Sequence, residues 1–211
     1  SGLVGSEMCI RDRDLRDEFR SGVVDPWLAG HVAGATPNPC VECNGRVRIG
    51  PMVDLARSLG AERLVTGHYA RLVEHEHPDG PLLAEGGDPL KDQAYALARV
   101  PVDVLSAMEF PLASLTKMEV REIARSRGLV VADTPDSQDL CFLAGVGKSR
   151  FISAHSAAVP EAGRLIDEGG EDLGSHRGVH EHTIGQRRGL GIGGGEPLYV
   201  VDVDPDSNSV V

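Results

Sequence analysis

Two prolines one residue apart, Pro37 and Pro39, stand immediately before a pair of cysteines in the run Thr36-Pro37-Asn38-Pro39-Cys40-Val41-Glu42-Cys43. Each proline removes a backbone donor and pushes the residue before it out of helical geometry. The run Ala35 to Cys40 is therefore predicted to be a loop, and the chain must organise itself on either side of it. Upstream, Asp14 to about Gly30 has the spacing of an amphipathic helix. Downstream, the pattern predicts a helix from about Val47 to Leu59 with Gly60 as its C-cap. A short buried strand, Arg63 to Thr66, follows and ends at Gly67. A helix leading into a buried strand is the alternation of an α/β layered domain.

Thr116 and Glu119 match the T-x-x-E capping box, so a helix is expected to start there. Val120, Ile123 and Ala124 give it an apolar face, Gly128 closes it, and Leu129-Val130-Val131 reads as a second buried strand. After about Val146 the character changes. A helix from Lys148 to Ala158 gives way to Gly- and His-rich sequence with strands expected at Gly163 to Gly170 and Pro197 to Val203. Asp204 to Asn208 reads as a turn, with another strand starting at Ser209. Four parts are expected: a non-native or disordered tail at 1–13, an α/β domain at 14–145, a small β-rich domain at 146–195, and the start of a further one at 196–211. Both ends read as cut.

The formal net charge of −11 argues by itself against a nucleic-acid partner, since phosphate attracts Lys and Arg. Local groups of cations matter more than the total: Arg46 with Arg48, Arg121 with Arg125 and Arg127, Lys148 with Arg150, and Arg187 with Arg188. Each is by default a solvated face. There is neither an apolar run long enough to span a bilayer nor a signal-like N-terminal segment, so no membrane association and a cytoplasmic location are expected. In that compartment cysteines serve metals or catalysis rather than a disulfide framework.

Cys9 lies in the unpatterned opening stretch and is set aside. Cys40 and Cys43 form one C-x-x-C beside a helix start, a placement expected to lower a thiol pKa by favouring the anion. A redox pair, half a zinc site and part of an iron–sulfur site all remain open for it. Cys141, read alone, is a core thiol. Gly67, in Thr66-Gly67-His68-Tyr69-Ala70-Arg71, follows a strand at the end where α/β sheets bind ligands. Lys91-Asp92-Gln93 sets a cation, an anion and an amide side by side, either for an RNA or as a charged helix start. The glycine-rich run 183–195 lacks the Lys-Ser/Thr of a phosphate loop, and His176, His180 and His182 read as surface imidazoles.

Six stretches together resemble the tRNA-specific 2-thiouridylases: TPNPCVECN at 36–44, TGHYAR at 66–71, KDQAYAL at 91–97, PLASLTKMEVREIA at 111–124, DSQDLCFL at 136–143 and HTIGQRRGLGIGG at 182–194. The resemblance implies an α/β fold of the adenine-nucleotide α-hydrolase-like (PP-loop ATPase) kind without its N-terminal part, then a small central β-rich domain and the start of a C-terminal β-barrel. It implies ATP with Mg2+, tRNA as substrate, and a sulfur-relay protein or cysteine desulfurase as persulfide donor to a monomeric enzyme. Cys141 would carry the persulfide and Cys43 would be its partner thiol. Gly67 would line the ATP site, Asn38, Pro39 and Cys40 would meet the target base, and Lys91, Asp92 and Gln93 would contact tRNA. Many members carry Asp where this chain has Cys40, so Cys40, Cys43 and Cys141 are also a candidate [4Fe–4S] ligand set. The family's S-G-G-x-D-S nucleotide loop has no match here, so the chain alone is expected not to adenylate RNA. The alternatives are another PP-loop tRNA sulfurtransferase and a non-enzymatic RNA- or metal-binding fragment.

Overall fold

The computed structural model describes residues 10–74, 80–136, 139–143, 145–156, 161–193 and 196–211. Cys9, Ser137, Gln138, Gly194, Gly195 and the predicted helix end at Ala157 and Ala158 lie outside the described residues.

The first predicted helix forms as α1 (Arg16–Phe19), a π-helical stretch (Arg20–Val24) and α2 (Asp25–Val32). The proline loop is shorter than expected. Asn38 accepts the Cys40 N–H through its side chain at 3.0 Å and caps α3 (Pro39–Glu42), so Pro39 occupies the first helical position, where its missing donor costs nothing. Helix continues through a second π-helical stretch (Cys43–Arg48) into α4 (Ile49–Ser58), and Gly60 ends it with φ +81°. A Cβ on Gly22 would meet Val47 Cγ2 at 3.0 Å, so this glycine permits the two π-helical stretches to approach.

The predicted strand at 63–66 narrows to β1 (Leu64–Val65). A hairpin of β2 (Ala70–Val73) and β3 (Leu82–Glu85) follows, then short helices α5 (Ala94–Leu97) and α6 (Val102–Leu105) and β4 (Met108–Glu109). β1 pairs with β4 in parallel, the crossover arrangement of an α/β layer. Ile49, Val53, Ala70, Leu97 and Met108 form the core beneath it. The capping box is present at the start of α7 (Lys117–Ser126): Glu119 accepts the Thr116 N–H at 2.7 Å and Thr116 accepts the Glu119 N–H at 3.3 Å. Leu129-Val130-Val131 is not a buried strand. It is a turn, and Val130 is 97% exposed.

A second core joins α2 to the turn Cys141–Leu143 and to α8 (Lys148–His155) through Trp27, Leu28, Leu143 and Ile152. Trp27 meets Phe142 edge-on at 5.2 Å and Phe151 at 6.1 Å, and Phe142 lies 5.3 Å from Phe151. The C-terminal part is a four-stranded sheet in the order β6 (Asp172–His176), β5 (Gly163–Ile166), β8 (Ser209–Val210), β7 (Val203–Asp204). The expected strand at Pro197 to Val203 is regular only at its end. Its earlier residues bond outside a regular ladder, as Val200 N–H to Gln186 O at 2.9 Å and Val201 N–H to Val211 O at 2.8 Å. The expected turn between β7 and β8 is closed by Ser207 Oγ on Asp204 at 2.6 Å.

The three C-terminal histidines are not surface imidazoles. His176, His180 and His182 are 5%, 3% and 5% exposed, and they join the 2%-exposed His31 of α2 where the two parts of the chain meet. Thr36 and Thr183 hydroxyls, 3.0 Å apart, tie the same junction. No helix among the described residues is long and apolar enough to cross a membrane.

Candidate active site

Helical geometry builds the first wall of the site. Cys40 and Cys43 are three residues apart on one continuous helical rod, so their side chains share a face. Glu42 is held off that face by Arg46, at 3.0 Å, and by Arg99. Buried Asn44 donates to Ala96 O at 3.1 Å, fixing this rod to α5. Cys141 comes from a separate turn, whose next two residues, Phe142 and Leu143, are anchored in the aromatic core. That anchoring leaves Cys141 exposed, which overturns its reading as a core thiol.

All three cysteines line one cavity of about 290 Å³ with Pro39, Arg48, His68, Tyr95 and Asp139. A larger cavity of about 590 Å³ adjoins it across Pro39, Cys40, Tyr95 and Asp139, and reaches His31, Asn38 and Lys148. The three thiols are free.

The helix start does not make the thiols acidic. Loss of water at the pocket wall, and then the neighbouring Cys141, push Cys40 above its ordinary range. Burial likewise raises Cys43, opposed by Arg48 and reinforced by the other two cysteines. Cys43 lies a full turn inside the rod, where the dipole of the helix end has faded. His68, 2.8 Å from Thr66 Oγ1, is lowered by burial and then by Arg48.

Among the described residues, no group of three His, Cys, Asp or Glu side chains is gathered closely enough to hold a metal ion. The three cysteines share one cavity, and their side chains are not gathered as closely as the ligands of a single metal ion.

The remaining predicted residues have distinct placements. Gly67 lies just beyond β1, where an added Cβ would meet only Leu112 Cδ1, at 3.8 Å. Asp92 accepts the Gly86 N–H at 3.0 Å, and Gln93 accepts the Tyr69 N–H at 3.1 Å through its side chain and donates its own N–H to Tyr69 O at 2.8 Å. Both side chains are therefore committed to holding the β2–β3 hairpin against α5. Lys91 instead projects to Asp136 at 2.9 Å, a carboxylate shared with Lys117 and Arg121, each at 3.3 Å. Lys91, then Lys117, hold that carboxyl below its ordinary range. Sequence reasoning missed Tyr95, Arg48, Asp139 and Lys148 as pocket residues. Only the nearness of Tyr95 to Lys91-Asp92-Gln93 could have flagged one of them.

Residues 6–145 match the family described as the tRNA methyl transferase HUP domain, and residues 149–211 match the tRNA methyl transferase PRC-barrel domain. Among curated relatives, a tRNA-specific 2-thiouridylase MnmA of Rickettsia bellii is 44% identical over 93% of this chain and 53% of its own length. The protein of the same name from Nostoc punctiforme is 46% identical over 94% of this chain and 56% of its own. The chain belongs to the tRNA-specific 2-thiouridylase family. Its fold class is accordingly α/β, a HUP domain followed by a PRC-barrel domain. The 2-thiouridylase-family chain spans about half the length of the relatives it matches.

Proposed function

We propose that the complete gene product is a tRNA 2-thiouridine synthase and that this chain carries its sulfur-transfer pocket. The observation that carries the reading is the convergence of three free thiols from two separate elements on one cavity. The family description speaks of methyl transfer and the relatives' names of thiolation. Three thiols around one cavity favour thiolation, because a sulfur relay needs one thiol as nucleophile and another as leaving group.

Cys141, exposed on an anchored turn, receives a sulfur from a cysteine desulfurase or a sulfur-relay protein and becomes the persulfide. ATP would supply the activation: the C2 oxygen of the target uridine attacks the α-phosphorus, pyrophosphate leaves, and the oxygen becomes part of an AMP leaving group, with Mg2+ as the counter-ion that would offset the phosphate charge. The open space beside Gly67, at the carboxyl end of a parallel strand, is compatible with a nucleotide there. The terminal sulfur of the persulfide attacks C2, and AMP leaves with the former C2 oxygen. Cys43 then attacks Cys141 Sγ. The bond from Cys141 to the transferred sulfur breaks, its electron pair completes the C2 thiocarbonyl, and the two thiol protons pass to water. The Cys43–Cys141 disulfide left behind is reduced by an external thiol.

Asn38, Pro39 and Cys40 meet the extruded base, since they border both cavities or the larger one. Lys91 meets the RNA backbone, while Asp92 and Gln93 hold the loop that presents it. The two-thiol route needs only one nucleophilic thiol and one that leaves, which Cys43 and Cys141 supply without a bound group.

Peptide mass spectrometry after incubation with a cysteine desulfurase and cysteine tests the first step. One added sulfur atom is expected on the peptide containing Cys141, and Cys43→Ser should leave it there. Sulfur found only on Cys40, or iron and sulfide retained stoichiometrically after anaerobic reconstitution, would contradict the two-thiol route.

A further inference from the structure

Tyr95 stands where the two cavities join, since it lines both together with Pro39, Cys40 and Asp139. It is 57% exposed, although the residues after it, Ala96 and Leu97, are 6% and 0% exposed. Those two root α5 in the core, and the Asn44 bond to Ala96 O and the Gln93 bonds to Tyr69 fix it from both sides. Tyr95 is therefore a flat aromatic ring on a rigid base. Among the described residues, no side-chain hydrogen bond or ring contact engages its ring, whereas Phe19, Trp27, Phe142 and Phe151 pack on one another. One cation lines each cavity, Arg48 the smaller and Lys148 the larger, against the single carboxylate Asp139 that borders both.

A pyrimidine that leaves its helical stack to reach the thiols loses stacking on both faces, and an aromatic side chain restores it without reading sequence. We propose that Tyr95 is the stacking platform for the extruded uracil, holding the ring at the junction beside Cys40. The proposal rests on the reading of this pocket as a tRNA-uridine site and adds a binding residue to it. The cations on either side suit the phosphates that flank an extruded nucleotide.

The test is binding of the chain to two RNA hairpins, one with uridine at the wobble position of an anticodon loop and one with an abasic site there. Wild type should bind the uridine hairpin more tightly than the abasic one. Tyr95→Ala should weaken uridine-hairpin binding by about 5- to 150-fold and leave abasic binding unchanged, while Tyr95→Phe keeps wild-type affinity. Equal weakening of both hairpins by Tyr95→Ala, or none of either, overturns the stacking role and leaves the tRNA reading standing. Failure of wild type to bind either hairpin overturns both.

Discussion

Cys40 and Cys43 occupy one helical face, and the water they lose at the pocket wall sets their reactivity. Both thiols are raised above the ordinary value of 9.0, so each is predominantly protonated at neutral pH. Their alkylation by iodoacetamide is expected to keep climbing as pH rises through 9, because the thiolate is the reacting form. A plateau reached below pH 8 would show that the thiols are acidic and that the pocket is more polar than described. The sequence pointed to these thiols through C-x-x-C spacing, which is a local property. It could not rank their acidity, since that depends first on burial at the pocket wall and then on Arg48 and on Cys141 arriving from a distant turn. For the same reason Cys141 alone looked like a core thiol: its exposure is decided by Phe142, whose neighbour Trp27 lies far away in sequence.

Helix starts were legible because their signals lie within four residues. The Thr116–Glu119 box formed as its spacing requires, and Thr116→Ala should cost about 1 kcal/mol in urea-melt stability, with Thr116→Ser close to neutral. An alanine variant as stable as the original would show that α7 owes nothing to its cap. Pro37 and Pro39 marked the break before the cysteines, yet the loop ended sooner than predicted, because a proline in the first helical position is compatible with helix. The run Leu129-Val130-Val131 misled for the opposite reason. Its composition suits a buried strand, but among the described residues it forms no ladder, and three apolar side chains remain exposed. Apolar runs state a tendency; packing partners decide the outcome.

At the scale of the molecule, the junction between the HUP and PRC-barrel parts is built on buried imidazoles. His31, His176, His180 and His182 have their pKa values lowered, in each case mainly by burial, His31 to about 4. Lys148 and Glu181 are the charged groups that act on this cluster. A histidine that stays neutral when folded but takes a proton near pH 6.5 when unfolded stabilises the fold fully above 6.5. That stability is lost as pH falls toward about 4, for His31 by about 1.4 kcal/mol per pH unit. Urea midpoints should therefore drop between pH 7.5 and pH 5, and His31→Gln should flatten the drop; equal midpoints would contradict the buried-histidine junction. The order of the two parts was readable from motifs, but the burial of these imidazoles was not, since His182 sits in a Gly-rich stretch that resembles surface sequence. The central claim is that Cys141 delivers sulfur to uridine in the pocket that this junction adjoins. It is tested most directly by nucleoside mass spectrometry of unmodified tRNA incubated with the complete gene product, ATP and a sulfur source, with Cys141→Ser alongside. The account predicts 2-thiouridine from the wild type and none from Cys141→Ser; a methylated uridine, or 2-thiouridine formed equally well by Cys141→Ser, would contradict it.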